Sequence, residues 1–434
     1  MVTVAPFKGV TYNKEKIEKL DDVMSPPYDI IAEPLQQSLY DTHPQNFVRL
    51  ILGKQYSDDT DQNNRYTRAK HLFDEWQRQG ILVASESEAL YPYRVEYTVQ
   101  KQKKVMNGFF VLLRLDPEYK TVKAHEKTLA KPKADRLNLI RACYANLEPI
   151  ELLYMDESDT IRKTIESGLA SPLIRVKGYD GFMHSLWKLD DKELVADVVK
   201  QLKDEVLFIA DGHHRYQTSI NYAVEQYQKT KDKRVDAPFN YIMVVLANMF
   251  DPGLAILPTH RLISLPGFSV EQLRKRMANY FTIEEKQIQG KQTCEQIGKR
   301  IMKDIETTQD HKFALYHNKT YYLFTLKDEH VMDKIAGDHS KTWRTLDVSI
   351  LHRLLLEQGL GIAEAGIEDH VKYTRVDAEA VQGVDEGTYE CSFLMNATKI
   401  EQLHAVANAG EHMPQKSTYF LPKMLSGLVM YKMG

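Results

Sequence analysis

The sequence predicts an α/β or α+β fold with mixed sheets and flanking helices, and three observations carry that expectation. Strand-like and helix-like segments alternate irregularly along the 434 residues, which suits neither an all-helical nor an all-β layer arrangement. Two pairs of strand-like runs, 89–99 with 105–115 and 312–316 with 320–326, are joined by short polar stretches, so antiparallel hairpins interrupt any parallel order. Residues 241–249 form a nearly continuous apolar run, the pattern of a strand covered on both faces.

Taken in order, residues 5–10 read as extended, and Asn13 is placed to cap a short helix through Leu20. Pro26 and Pro27 stiffen the loop that follows, so that Tyr28 and Asp29 are either presented to a ligand or fixed in a structural turn. Residues 46–52 read as a strand and 63–79 as an amphipathic helix closed by Gly80. After the first hairpin, a polar stretch leads into a helix near 136–145. A strand at 149–154, a helix near 160–168, strands near 173–176 and 182–189, and a helix at 191–203 come next. The apolar run 206–209 is a buried strand, and Ile220, Ala223, Val224 and Tyr227 recur at helical spacing beyond it. Leu265-Pro266-Gly267 breaks the chain and Ser269 caps the helix 270–280. The expected division is therefore an N-terminal and central domain at 1–265 and a C-terminal α+β domain at 266–434. The second part continues with a strand near 281–285, a helix at 293–305, the second hairpin, a helix at 346–358 ended by Gly359, and a strand at 392–395.

Composition narrows the functional classes. An apolar fraction of 43% with 27% charged residues is that of a water-soluble globular protein, and the length calls for two or three domains. Lys plus Arg number 57 and Asp plus Glu 60, so no global positive field draws nucleic acid. The most apolar run, 242–250, is shorter than the roughly 20 residues of a membrane-spanning helix. No secretory pattern opens the sequence. Cys143, Cys294 and Cys391 form no CxxC pair, which argues against a disulfide framework or a zinc site. A cytoplasmic protein with a small-molecule substrate, no membrane and no nucleic-acid partner is expected.

Chemistry is expected where the strand 206–209 turns into the next helix, at Asp211-Gly212-His213-His214-Arg215. A helix start favours an anion, most often phosphate, because its amides and dipole point outward. Gly212 permits close approach, Arg215 offers a planar fork, and His213 and His214 supply donors or a base. Asp211 would repel a phosphate unless a metal or a transferred proton lies between them, which hints at chemistry rather than binding alone. A second polar cluster contains Lys123, His125, Glu126, Lys127, Thr128, Lys131, Lys133, Asp135 and Arg136. It suits a polyphosphate with a general base, or equally a solvated loop. His125 and Glu126 do not make HExxH, since Leu129 stands where the second histidine would be. His260 and Arg261 end the run 254–261, a place for ligand groups or for a plain surface dipeptide. The tail 414–423 either folds back over the phosphate site or is an ordinary loop.

Five ordered motifs resemble the domain of unknown function 1015 family. They are Pro26-Pro27-Tyr28-Asp29-Ile30-Ile31, His125-Glu126-Lys127-Thr128, Asp211-Gly212-His213-His214-Arg215-Tyr216, Asp251-Pro252-Gly253-Leu254 with Leu257-Pro258-Thr259-His260-Arg261, and Lys416-Ser417-Thr418-Tyr419-Phe420-Leu421-Pro422-Lys423. The resemblance runs from Pro6 to the tail and implies no activity. Gly212-His213-His214-Arg215-Tyr216-Gln217-Thr218-Ser219 is also similar to the nucleotide-binding box of the ParB partitioning proteins. It resembles the phosphate box of sulfiredoxin and the Asp-Gly-His box of free-serine kinases on the same fold. That short likeness implies a ParB/sulfiredoxin-like nucleotide-binding core. His213 stands where sulfiredoxin has its cysteine, so sulfinic-acid reduction is not implied.

The leading expectation is a phosphate- or nucleotide-binding phosphotransferase acting on a small hydroxylated metabolite, serine-kinase-like. Its catalytic candidates are Asp211, His213, Glu126 and His125; its phosphate or nucleotide contacts are Gly212, His214, Arg215, Lys127, Thr128 and Arg261. ATP or ADP and magnesium are the inferred cofactors, and no residue is assigned as a metal ligand. The alternatives are a ParB-like nucleotide switch without turnover and a metal-dependent hydrolase built on His213, His214, His125 and Glu126.

Overall fold

The computed structural model describes residues 1–99, 101–125, 130–232, 234–306, 310–414 and 416–433. The chain forms two compact units. Unit 1 comprises Met1–Ala124, Thr128–Ala255 and Pro422–Gly434; unit 2 comprises His125–Lys127 and Ile256–Leu421.

Unit 1 is built on a mixed sheet. Its strands are β1 (Val4–Ala5), β2 (Tyr91–Val99), β3 (Gln102–Arg114), β4 (Val122–Lys123), β5 (Ile150–Tyr154), β6 (Ile174–Lys177), β7 (Met183–Leu186), β8 (Leu207–Asp211) and β9 (Tyr241–Asn248). Their spatial order is β4-β8-β5-β9-β3-β2-β7-β6, with β1 beside β3. The β8–β4 and β9–β5 pairs are parallel, while β8–β5, β9–β3 and β2–β3 are antiparallel. The central strands are apolar at every position because both faces are covered: β9 reads Tyr-Ile-Met-Val-Val-Leu-Ala-Asn and is buried over seven of its eight residues. On one face Phe109, Val111, Ile150, Leu152, Leu207, Ile209, Val244 and Leu246 pack against three helices. These contribute Ile161 and Ile165, then Val195, Val198 and Leu202, then Tyr216 and Ile220. Each such side chain, fully buried, contributes about 1.5–3 kcal/mol. Since strand side chains alternate, Glu151 is directed to the other face, and Asp211 is its ladder partner across β8 and β5.

Unit 2 holds a fully antiparallel sheet. Its strands are β10 (His260–Ile263), β11 (Phe281–Gln287), β12 (Lys312–His317), β13 (Thr320–Leu326), β14 (Val371–Thr374) and β15 (Cys391–Met395), in the order β11-β13-β12-β15-β10-β14. The helices Cys294–Ile305 and Asp377–Asp385 bring Ile297, Ile301, Ile305, Ala380 and Val381 onto Ala314, Tyr316, Leu323 and Leu394. Thr293 and Gln296 close a capping box at the first of these helices. Mixed sheets with flanking helices are therefore as expected. The ParB/sulfiredoxin-like core rests on the short sequence resemblance alone.

Several local expectations are corrected. Residues 46–52 are not a strand: Val48–Ile51 is helical, because Asn46 Oδ1 accepts from Val48 N at 3.0 Å while its amide donates to the Asp22 and Met24 carbonyls. Asn13 accepts from Glu15 N at 2.9 Å and holds a turn; the next helical turn is the 3₁₀ stretch Leu20–Val23. The expected helix 346–358 is Asp347–Ile350 running into a π-helix, Leu351–Leu360. It stops at Gly361, with φ of 77°, and Gly359 is instead packed, since a Cβ there would lie 2.6 Å from Leu273 Cδ1. Residues from Ile256 onward, up to Leu421, belong to unit 2, and His260–Ile263 pairs with β14 and β15 in its sheet.

Candidate active site

Strand β8 ends at Asp211, and the helix His213–Thr230 begins two residues later. Gly212 between them has φ 94° and ψ 27°, a left-handed conformation that glycine adopts without a steric penalty. A Cβ there would also stand 3.1 Å from Arg215 Nε. Gly212→Ala is accordingly expected to lower stability by about 1–2 kcal/mol, read as a shift of the urea unfolding midpoint. An unshifted midpoint would show that the turn relaxes freely.

Asp211 is clamped from both sides. Arg215 Nη2 donates to Oδ2 at 2.6 Å, and Lys423 Nζ donates to Oδ1. Arg215 Nη1 donates to the Pro149 carbonyl. The side chains are 18%, 11% and 8% exposed for Asp211, Arg215 and Lys423, so the triad is shielded from water. Burial opposes the charge on Asp211, but Lys423 and Arg215, helped by His213, hold its carboxyl well below the usual carboxylate range. Burial likewise opposes the charge on Arg215, and Asp211 and Glu148 restore it.

A second carboxyl faces the opposite way electrostatically. Glu151 is 1% exposed, and neither of its oxygens has a hydrogen-bond partner among the described residues. Burial pushes its pKa up to about 8; Lys423 and Arg215 oppose the shift and Asp211 adds to it. Glu151 therefore holds a proton at neutral pH beside an ionised Asp211.

The cluster extends through Glu148. Its Oε1 accepts from Tyr28 N at 3.0 Å and Ser426 Oγ at 3.3 Å, and its Oε2 accepts from Arg136 Nη1 at 3.1 Å. Arg136 lies 3.9 Å over the Tyr28 ring, and also donates to Asp135 and to the Ile51 carbonyl. The stiff Pro26-Pro27 loop thus presents Tyr28 to this network, which is what fixes its backbone. The cavity beside it, lined by Arg136, Asn146, Glu148, Arg215 and Ser219, measures about 40 Å³, room for a few waters at most.

Of the residues singled out from the sequence, Asp211, Gly212, His213, His214 and Arg215 come together at this strand-to-helix junction. Arg215 is not an open fork as expected: its guanidinium is committed to Asp211 and Pro149. His125 and Arg261 belong to unit 2. Arg261 is neither at a strand end nor on the surface but is the second residue of β10, 1% exposed. Glu126, Lys127 and Thr128 lie outside the described residues. Sequence reasoning missed Glu148 and Glu151, whereas Lys423 ends the tail for which folding back over the site was one of two readings, and its ammonium does reach Asp211. The one available signal was a carboxylate inside an apolar strand, Ile150-Glu151-Leu152-Leu153-Tyr154. Among the described residues, no three His, Cys, Asp or Glu side chains are grouped so as to hold a metal ion. No helix there is long and apolar enough to cross a membrane.

The family model described as a protein of unknown function, DUF1015, matches residues 4–349. The chain belongs to the DUF1015 family. The matched span includes the Asp211 turn, Glu148, Glu151 and Arg136, and stops short of Lys423 in this DUF1015 protein. No curated protein matches it by sequence. Among solved structures it is similar to a conserved hypothetical protein from Pyrococcus furiosus, at 13% identity over 72% of this chain and 90% of that one, with a TM-score of 0.34. A free serine kinase variant in complex with ADP is similar at 14% identity over 74% and 90%, with a TM-score of 0.36. A C-terminally truncated SbnI from Staphylococcus aureus is similar at 13% over 73% and 85%, with a TM-score of 0.33.

Proposed function

We propose that this chain is a nucleotide-dependent phosphotransferase acting on the hydroxyl of a small metabolite, with Asp211 at its reacting centre. One observation carries the reading: Asp211 and Glu151, ladder partners on β8 and β5, are driven to opposite protonation states by their surroundings. Neighbouring titratable groups pushed apart in this way mark a division of acid and base roles. A carboxylate has about four lone-pair sites, so Asp211, with one bond to Lys423 and one to Arg215, keeps capacity to accept a substrate hydroxyl. Phosphoryl transfer is mostly positioning and charge stabilisation, so a carboxylate too acidic to be a strong base still orients the hydroxyl. Lys423 offsets developing negative charge, and the first turn of the helix His213–Thr230 offers amides to the phosphate. His213 and His214 are the first two residues of that turn.

Magnesium fits this cluster poorly. Both Asp211 oxygens already bear a cationic donor and Glu151 is protonated, so neither carboxyl presents a free anionic oxygen pair to a divalent ion. Arg215 and Lys423 do the neutralising here.

The test incubates the protein with terminally labelled ATP or ADP and a pool of hydroxylated metabolites. Free serine is included because the Asp211-Gly212-His213 box resembles that of the free-serine kinases. A new phosphorylated product, lost in Asp211→Asn, is the expected result. Nucleotide binding or slow hydrolysis with no acceptor product would favour a switch instead.

A further inference from the structure

Arg261, in unit 2, is a buried cation with no anion beside it among the described residues. It lies on β10 between β14 and β15, 1% exposed. Its Nη1 donates to the Thr259 carbonyl and to Met395 Sδ at 2.8 Å, and its Nη2 to His352 Nε2 and the Lys416 carbonyl, both at 3.3 Å. Its Nε has no partner, and no carboxylate pairs with the guanidinium, among the described residues. Burial lowers its pKa to about 10, and burial together with Arg261 keeps His352 neutral. A charge taken from water with only carbonyls, a thioether and an imidazole around it is poorly compensated.

A second guanidinium, that of Arg375, follows the strand β14 that pairs with β10. Tyr373 is the ladder partner of Arg261 and lies beneath it at 5.5 Å, and two residues on, Arg375 stacks 3.9 Å over the Tyr419 ring. The Nε of Arg375 also has no partner among the described residues. The tail segment frames both cations: the Tyr419 carbonyl accepts from Leu257 N at 2.9 Å, the Ser417 carbonyl from Thr398 Oγ1 at 2.8 Å, and Thr418 Oγ1 is 3.1 Å from His125 Nε2.

We propose that Arg261 and Arg375, framed by residues 416–419, form an oxyanion site that takes the phosphate group of a small molecule. Two guanidiniums match the charge of about −1.5 to −2 on a phosphate monoester at neutral pH, whereas a carboxylate offers half of that. Planar forks also suit its oxygens. The site stands independently of the Asp211 reading, and neither requires the other.

Phenylglyoxal labelling of the full-length protein, read peptide by peptide at Arg375, tests it with inorganic phosphate as the probe against chloride at equal ionic strength. Saturating phosphate is expected to slow labelling of Arg375 about tenfold when present at roughly ten times its dissociation constant, while the exposed Arg175 is unaffected. Equal labelling of Arg375 in both buffers overturns the site. Arg261→Gln gives a second measure. Removing an uncompensated charge is expected to raise the melting temperature in phosphate-free buffer and to abolish the further rise that phosphate gives the natural chain. If a carboxylate of the chain supplies the counter-charge, the variant melts lower in both buffers and phosphate changes nothing, which also overturns the proposal. So does a phosphate effect on melting with Arg375 labelled at its full rate, since the ion then binds elsewhere.

Discussion

Asp211→Asn is expected to cost about 3–5 kcal/mol of folding stability and to slow phosphoryl transfer on the order of 10²–10⁴-fold. The stability loss follows from what remains. Lys423 and Arg215, 8% and 11% exposed, lose their shared counter-charge. Lys423→Met alone is milder, because Asp211 keeps Arg215. In the double variant one of the two stranded cations is gone, so the combined loss should be smaller than the sum of the single losses. Urea unfolding of the four proteins gives the coupling energy directly. Strict additivity would mean that the Asp211–Lys423 pair contributes nothing and that the clamp is incidental.

Glu151→Gln should change how stability depends on pH. A free glutamate has a pKa of about 4.3, and burial raises Glu151 to about 8 in the folded chain. Below about pH 4 both states hold the proton and the group is neutral in its effect. As pH rises from there to about 8, the unfolded chain has released the proton and the folded chain has not, so unfolding becomes progressively easier. At about 1.4 kcal/mol per pH unit the accumulated penalty above pH 8 is on the order of 5 kcal/mol. Asp211 has the opposite sign. Its contribution is present above its unfolded value of about 3.9 and is lost as pH falls below it. The two effects occupy adjacent windows and can be separated. Glu151→Gln should lose the fall in stability that Glu151 causes between pH 5 and 8, and be more stable than the natural chain at pH 8. A variant less stable at pH 8 would show that the ionised carboxylate, not the protonated one, belongs in the fold.

Much of the architecture was legible because local chemistry repeats itself. Ser269 caps the helix expected after it, the helices expected from about 63, 191 and 293 start at the caps Asn64, Asp191 and Thr293, and both hairpins form where the polar turns lie. The stretch 46–52 failed because Val48-Arg49-Leu50-Ile51 fits either a strand or a helical turn, and a side chain reaching back to residues 22 and 24 decides between them. At the site, the turn 211–215 was visible from its own residues. Its companions were not: Glu151 hides in an apolar run, and Arg136 looked like one basic residue among many. Arg261, expected at a strand end either as a ligand group or as a surface residue, lies within a strand that has a neighbour on each side. Burial of a charge is settled by which strands lie alongside, and spacing along the chain says nothing about that.

The ammonium group that completes the clamp lies 212 residues beyond the carboxylate it holds. Unit 1 is therefore a discontinuous body, whose last piece is made only after all of unit 2 has been translated. Until then the emerging chain carries Arg215 and Asp211 with one fewer cation between them. A nascent unit 1 halted on the ribosome should consequently be easier to digest than the same residues in the released protein.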